Sequence, residues 1–123
     1  MDNINIIFIG ILIFLGLSYW MADKIGNRFY SDMIKFIIKC YKDIKQVCHI
    51  YFYVENQTVR IVVFTSNEKY DDMLMDRLLD QELKISGKFE KTSFDIRYIS
   101  KCLKNDPKDY IPDYYVCVYS NNF

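Results

Sequence analysis

The chain has 123 residues, 16 basic against 16 acidic side chains, and 17% aromatic residues, including eleven Tyr and nine Phe. The balanced charge excludes the basic footprint of a nucleic-acid binder and gives no reason to expect a strongly acidic partner, while the apolar and aromatic content excludes a disordered chain. The length holds one small domain, for which a covalent staple would add useful stability.

In chain order, the first element is the uncharged run Ile6 to Ala22, IIFIGILIFLGLSYWMA. Its seventeen residues span about 25 Å as a helix, enough for a thin bilayer. Ile6, Phe8, Ile9, Leu12, Phe14 and Leu15 supply the lipid-facing bulk, and Tyr19 and Trp20 fall where the helix should leave the hydrocarbon. Residues 1–23 are therefore read as an N-terminal transmembrane anchor, and 24–123 as a single compact domain. No cation precedes the run and no A-x-A site follows it, so a retained signal-anchor is expected rather than a cleaved leader. Lys24, Arg28, Lys35 and Lys39 follow it, which places the domain on the cytoplasmic side during synthesis. The bilayer itself is thus one expected partner.

Tyr30, Met33, Ile34, Ile37, Ile38, Tyr41 and Ile44 recur at helical spacing and predict an amphipathic helix over about 29–46. Two β-branched and aromatic runs, CHIYFYV and TVRIVVF, flank the polar Glu55-Asn56-Gln57 and predict a β-hairpin. Thr65 and Glu68 have capping-box spacing, so a second helix is expected to start there, with Tyr70, Met73, Leu74, Leu78 and Leu79 as its apolar face. Leu83, Ile85 and Phe89 alternate as in a strand interrupted at Gly87. Phe94 to Leu103 fits either a strand or a helix, and the spacing of Phe94, Tyr98, Ile99, Cys102 and Leu103 favours the helix. A polar loop bracketed by Pro107 and Pro112 precedes a last strand over Tyr114 to Tyr119. With no repeated βαβ pattern, the expected fold is α+β: a transmembrane helix, then a small antiparallel sheet with helices on one face.

Chemistry-bearing motifs are few. No GxGxxG, Walker A, HExxH or GxSxG pattern occurs, and no cofactor or metal is expected. His49 adjoins Cys48, but adjacent strand residues point to opposite faces, which argues against a nucleophile–base pair. Asp71, Asp72, Asp76 and Asp80 are read as a solvated helix face. Asn56-Gln57-Thr58 matches a glycosylation sequon that a cytoplasm-facing domain would not use.

The four cysteines, Cys40, Cys48, Cys102 and Cys117, lack the C-x-x-C spacing of a zinc site and are disulfide candidates. Three pairings are open. The local one joins Cys40 to Cys48 and Cys102 to Cys117, and closing the second loop is worth roughly 3 kcal/mol in the chain-entropy model. Four reduced thiols are the alternative that a cytosolic environment favours. Orientation and cysteine count thus point in opposite directions.

One family reconciles them. Cys102, Asp109, Ile111, Pro112, Cys117, Tyr119 and Ser120 resemble a C-terminal pattern of the smallest four-cysteine, N-terminally anchored subunits of the poxvirus entry–fusion complex: Cys, an acidic stretch ending in Ile-Pro, then Cys and Tyr-Ser before an aromatic end. The likeness covers about twenty residues closely and the rest in layout, with the first two cysteines closer together than that family leads one to expect. It implies disulfides made on the cytosolic side by a virus-encoded oxidation pathway and a domain outside the mature virion membrane. The implied role is non-enzymatic: a virion surface subunit of a membrane-fusion machine, whose partners are other membrane-anchored subunits rather than nucleic acid or a small-molecule substrate. Tyr110, Tyr114 and Tyr115 are the expected partner contacts, since interfaces favour Tyr. The rivals are an anchored, cytoplasm-facing protein-binding module with reduced cysteines, and a small membrane enzyme using Cys48 with His49.

Overall fold

The computed structural model describes residues 28–100 and 106–121. The anchor segment 1–23 and Cys102 lie outside them. Among the described residues no helix is long and apolar enough to cross a membrane. The chain divides into two units, Met1–Ile34 and Lys35–Phe123. In the first, residues 28–34 are helical, and the rings of Phe29 and Tyr30 meet edge to face at 5.3 Å.

The second unit is an α+β domain with a four-stranded sheet. Helix α1 contributes residues 35–41 to this unit, followed by β1 (Val47–Glu55), β2 (Thr58–Thr65), α2 (Asp72–Lys88), β3 (Ser93–Ser100), a 3-10 turn (Pro107–Asp109) and β4 (Val116–Ser120). The strands lie in the order β3-β2-β1-β4. The amphipathic reading of α1 holds in this unit, since Ile37, Tyr41 and, just beyond it, Ile44 are buried at intervals of three or four residues. The helix closes at Tyr41 rather than 46. There the Ile44 N–H turns back to the Tyr41 carbonyl, and Val47 to Ile44, which leads the chain into β1.

The hairpin forms as expected. Asn56 and Gln57 make its two-residue loop with φ of 49° and 65°, the left-handed pair that matches the twist of the flanking strands. The central strands carry the core: Ile50 and Phe52 of β1 and Val59, Ile61 and Val63 of β2 are buried on the face that the helices cover.

Four expectations are corrected. The sheet is mixed rather than antiparallel, because β2 and β3 pair in parallel through a seventeen-residue α2 that returns the chain to the starting end of β2. Helix α2 starts at Asp72, not near Thr65. Thr65 is the buried last residue of β2, and the Asp71 carboxylate caps the helix by accepting from the Leu74 N–H at 3.2 Å. The same helix absorbs Leu83, Ile85 and Gly87, which the alternation assigns to a strand. Ile85 is fully buried with Leu74 and Leu78, and a side chain at Gly87 would meet nothing within 4 Å. Finally, Phe94 to Ser100 is strand rather than helix, paired residue for residue with β2 from Val59 to Thr65.

A buried hydroxyl junction ties three elements together. The Tyr98 hydroxyl of β3 lies 2.8 Å from that of Tyr41, 3.1 Å from Glu82 Oε2 and 3.2 Å from the Leu78 carbonyl. A phenol has one proton, and Tyr98 gives it to the two acceptors on α2, so Tyr41 donates to Tyr98. Burial raises both phenol pKa values above the ordinary range. At Tyr98 the neighbouring Tyr41 and Glu82 raise it further, and at Tyr41 the Glu82 charge adds to the effect of burial.

Three outcomes are expected. Replacing Gln57 by Gly removes a left-handed side-chain residue and should raise stability by about 1 kcal/mol in urea unfolding. Tyr98→Phe should cost about 1–3 kcal/mol, since it leaves the Tyr41 hydroxyl unpaired. In the wild type the unfolded chain releases these phenol protons first, near pH 10, so stability is intact below that pH and falls above it, by at most about 1.4 kcal/mol per pH unit and tyrosine. Urea midpoints at pH 8 and 11 read this loss, and Tyr98→Phe should reduce it.

Candidate functional site

The second face of the sheet has no helix over it among the described residues. Strand alternation places Tyr51 and Tyr53 of β1 and Arg60, Val62 and Phe64 of β2 there, and the segment between the 3-10 turn and β4 covers them. Cys48, Tyr51, Val62 and Phe64 form a buried cluster against which Ile99, Ile111 and Tyr115 pack. The cover is aromatic. Tyr53 meets Tyr114 at 4.5 Å between ring centroids and stacks on Tyr115 at 5.4 Å, and Tyr110 leans on Phe64 at 6.2 Å. Arg60 lies beside Tyr115, and its Nε is 3.5 Å from Glu55 Oε2.

The cover leaves apolar area in water. Tyr110 is 44% exposed and Tyr114 56%. Of the three tyrosines read from the sequence, Tyr110 and Tyr114 are therefore surface groups with one side anchored, and Tyr115 is half-buried between Tyr53 and Arg60. Tyr53 completes the patch and is absent from the sequence reading as a contact residue, whereas Val116, opposite Phe52, lies on the helix-side face. The alternation of β1 puts Tyr53 on this face, but only the pairing of β4 with β1, Cys117 opposite Tyr51 and Val116 opposite Phe52, brings Tyr114 to it.

The cysteines are in different states. Cys48 is disulfide-bonded, whereas Cys40 and Cys117 are free. The local pairing of Cys40 with Cys48 and Cys102 with Cys117 is therefore not the arrangement present. The reason is placement: Cys40 borders a cleft of about 290 Å³ between the helices, lined also by Lys39, Arg77 and Lys84, whereas Cys48 belongs to the cluster on the other side of the sheet. Burial pushes the Cys40 thiol pKa up, against the opposing pull of Lys84, Lys39 and Lys88. Cys117 is exposed, and its thiol points to the Tyr119 carbonyl at 3.4 Å.

No family model matches the chain, and no curated protein matches it.

The remaining sequence candidates separate in space. A register shift between Val47 and His49 places Cys48 in a bulge, which breaks strict alternation. Both residues consequently approach Phe64, whose ring lies 6.3 Å from that of His49. The Cys48 sulfur, however, is in a disulfide, and His49 Nδ1 is 2.8 Å from Ser120 Oγ. Burial lowers the His49 pKa, and Asp106 opposes that shift. Asp72, Asp76 and Asp80 are exposed along α2, and among the described residues no group of three or more His, Cys, Asp or Glu side chains converges on a metal position.

Alkylation of the folded chain without reduction should therefore label Cys117 fastest, Cys40 more slowly, and Cys48 only after reduction. Peptide mass spectrometry at pH 7.5 checks the order, and prompt labelling of Cys48 in unreduced protein would contradict it.

Proposed function

We propose that this protein is a non-enzymatic, membrane-anchored binding subunit of a multiprotein assembly at a virion surface, of the entry–fusion kind that its C-terminal segment resembles. Residues 1–23 hold it in the bilayer, and the aromatic face is its contact with other anchored subunits. One observation carries the reading. The stretch from Asp109 to Ser120, where the likeness is closest, is also the stretch that covers the second sheet face and leaves Tyr110 and Tyr114 in water. Half-exposed tyrosines held in place by ring packing suit an interface, because little side-chain entropy remains to be lost on binding.

The disulfide at Cys48 supports a domain that ends outside the reducing compartment. The two free thiols support the second reading, an anchored cytoplasm-facing module that binds a protein partner.

The test is co-purification from native membranes. The full chain should stay in the membrane through an alkaline carbonate wash and bring down other membrane-anchored proteins from a mild detergent extract. Tyr114→Ala should cut their recovery at least about tenfold, as expected of an interface anchor, while Asp80→Ala on the outer face of α2 should not. Release by carbonate, or recovery without any anchored partner, would remove the proposal. A cytosolic partner in place of anchored ones would favour the second reading.

A further inference from the structure

The strand β3 ends the sheet, and among the described residues nothing pairs with its outer edge. Its helix-side residues Phe94, Ile96 and Tyr98 are only partly buried, although their β2 partners Val59, Ile61 and Val63 are at most 1% exposed. Beside this edge, α2 holds an uncovered apolar shelf. Leu79 is 47% and Leu83 72% exposed, and together with Glu82 and Ser86 they border a cavity of about 360 Å³. The bond from the Tyr98 hydroxyl to Glu82 places that shelf next to β3.

The charges on β3 specify what can fill the edge. Asp95 and Arg97 point to the opposite face from Ile96, with 37% and 68% of their side chains exposed, and pair weakly with each other at 3.5 Å. We propose that a second copy of this chain pairs antiparallel with β3 about a twofold axis through Ile96, setting Asp95 opposite Arg97 of the second copy and Phe94 opposite its Tyr98.

Symmetry leaves little choice of register. In an antiparallel pair, directly opposite residues share a face, so a twofold axis normal to the sheet must pass through a residue rather than between two. An axis through Asp95 sets Asp95 against its own copy, and one through Arg97 sets the two guanidinium groups together. The axis through Ile96 alone gives two opposite-charge pairs, an Ile–Ile contact and two aromatic pairs, each a favourable cross-strand combination. The two four-stranded sheets then continue as one, both α2 helices lie on one face, and their Leu79 and Leu83 flanks turn toward each other. This inference stands independently of the proposed function.

The test uses the full chain in detergent micelles, with Cys40→Ser and Cys117→Ser to remove the free thiols. Ile96→Cys should cross-link into a dimer under mild oxidation, since residues opposite on the axis have Cα atoms about 4.5–5.5 Å apart, within disulfide reach. Ser93→Cys should not, because it lies roughly 20 Å from its own copy in this register. In sedimentation, with the wild-type cysteines, Asp95→Arg or Arg97→Asp should weaken dimerisation at least about tenfold, each replacing two attractive pairs by two repulsive ones. The double reversal should return it to within about threefold. That rescue, and the cross-link, keep the proposal testable even if a single reversal unfolds the chain. Equal cross-linking of both cysteine variants, no cross-link at Ile96→Cys, or a chain that sediments as a monomer would overturn it. In the last case the charges would serve instead to guard an open edge.

Discussion

The pairing of β1 with β2 places two strands at the centre of the sheet, where neither face can be left to water. Every residue from Ile61 to Thr65 is buried, so the run needs a cover on both sides. On one side the helices provide it, and the shared hydroxyl contact of Tyr41, Tyr98 and α2 fixes how they and β3 meet. On the other side the cover is a short aromatic segment with no helix of its own among the described residues. It is thin enough that the rings closing the core also form the surface. The tyrosine patch is thus a consequence of how the second face is closed, and its rings are held by the same contacts that stabilise the fold.

The local part of this architecture was legible in the sequence. Alternation and a polar two-residue turn identified the hairpin, and the spacing of Ile37, Tyr41 and Ile44 identified the buried side of α1. The non-local part was not. β3 has the alternation of a strand in Phe94, Ile96 and Tyr98, but Ile99, Cys102 and Leu103 add apolar residues that complete a helical pattern. What makes it a strand is parallel pairing with β2, an interaction across α2 that no window of sequence contains. The same crossover explains the misreading of Leu83, Ile85 and Gly87. A helix interior with an exposed leucine and a glycine looks interrupted when judged locally, whereas burial of Leu74, Leu78 and Ile85 against the sheet sustains it.

The candidate site shows the same division. Tyr110 and Tyr114 could be picked out by residue type, and both reach the surface. Their neighbour Tyr53 could not, because β1 and β4 are far apart in the chain and meet only in the folded sheet. Among the cysteines, the local one of three open pairings would join Cys40 to Cys48, but a turn and a bulged strand carry them to opposite sides of the sheet. Sequence distance left the pairing open, and the bulge and the sheet between the two residues rule the local one out.

The central claim is that the aromatic face is occupied by protein when the chain sits in its membrane. Hydroxyl-radical footprinting of tyrosines measures this directly, comparing the full chain in its native membrane with the same chain purified alone in detergent. The account predicts that Tyr110 and Tyr114 lose reactivity in the native membrane, while Tyr70, exposed at the start of α2, reacts equally in both. Equal reactivity of Tyr114 in the two samples would contradict it.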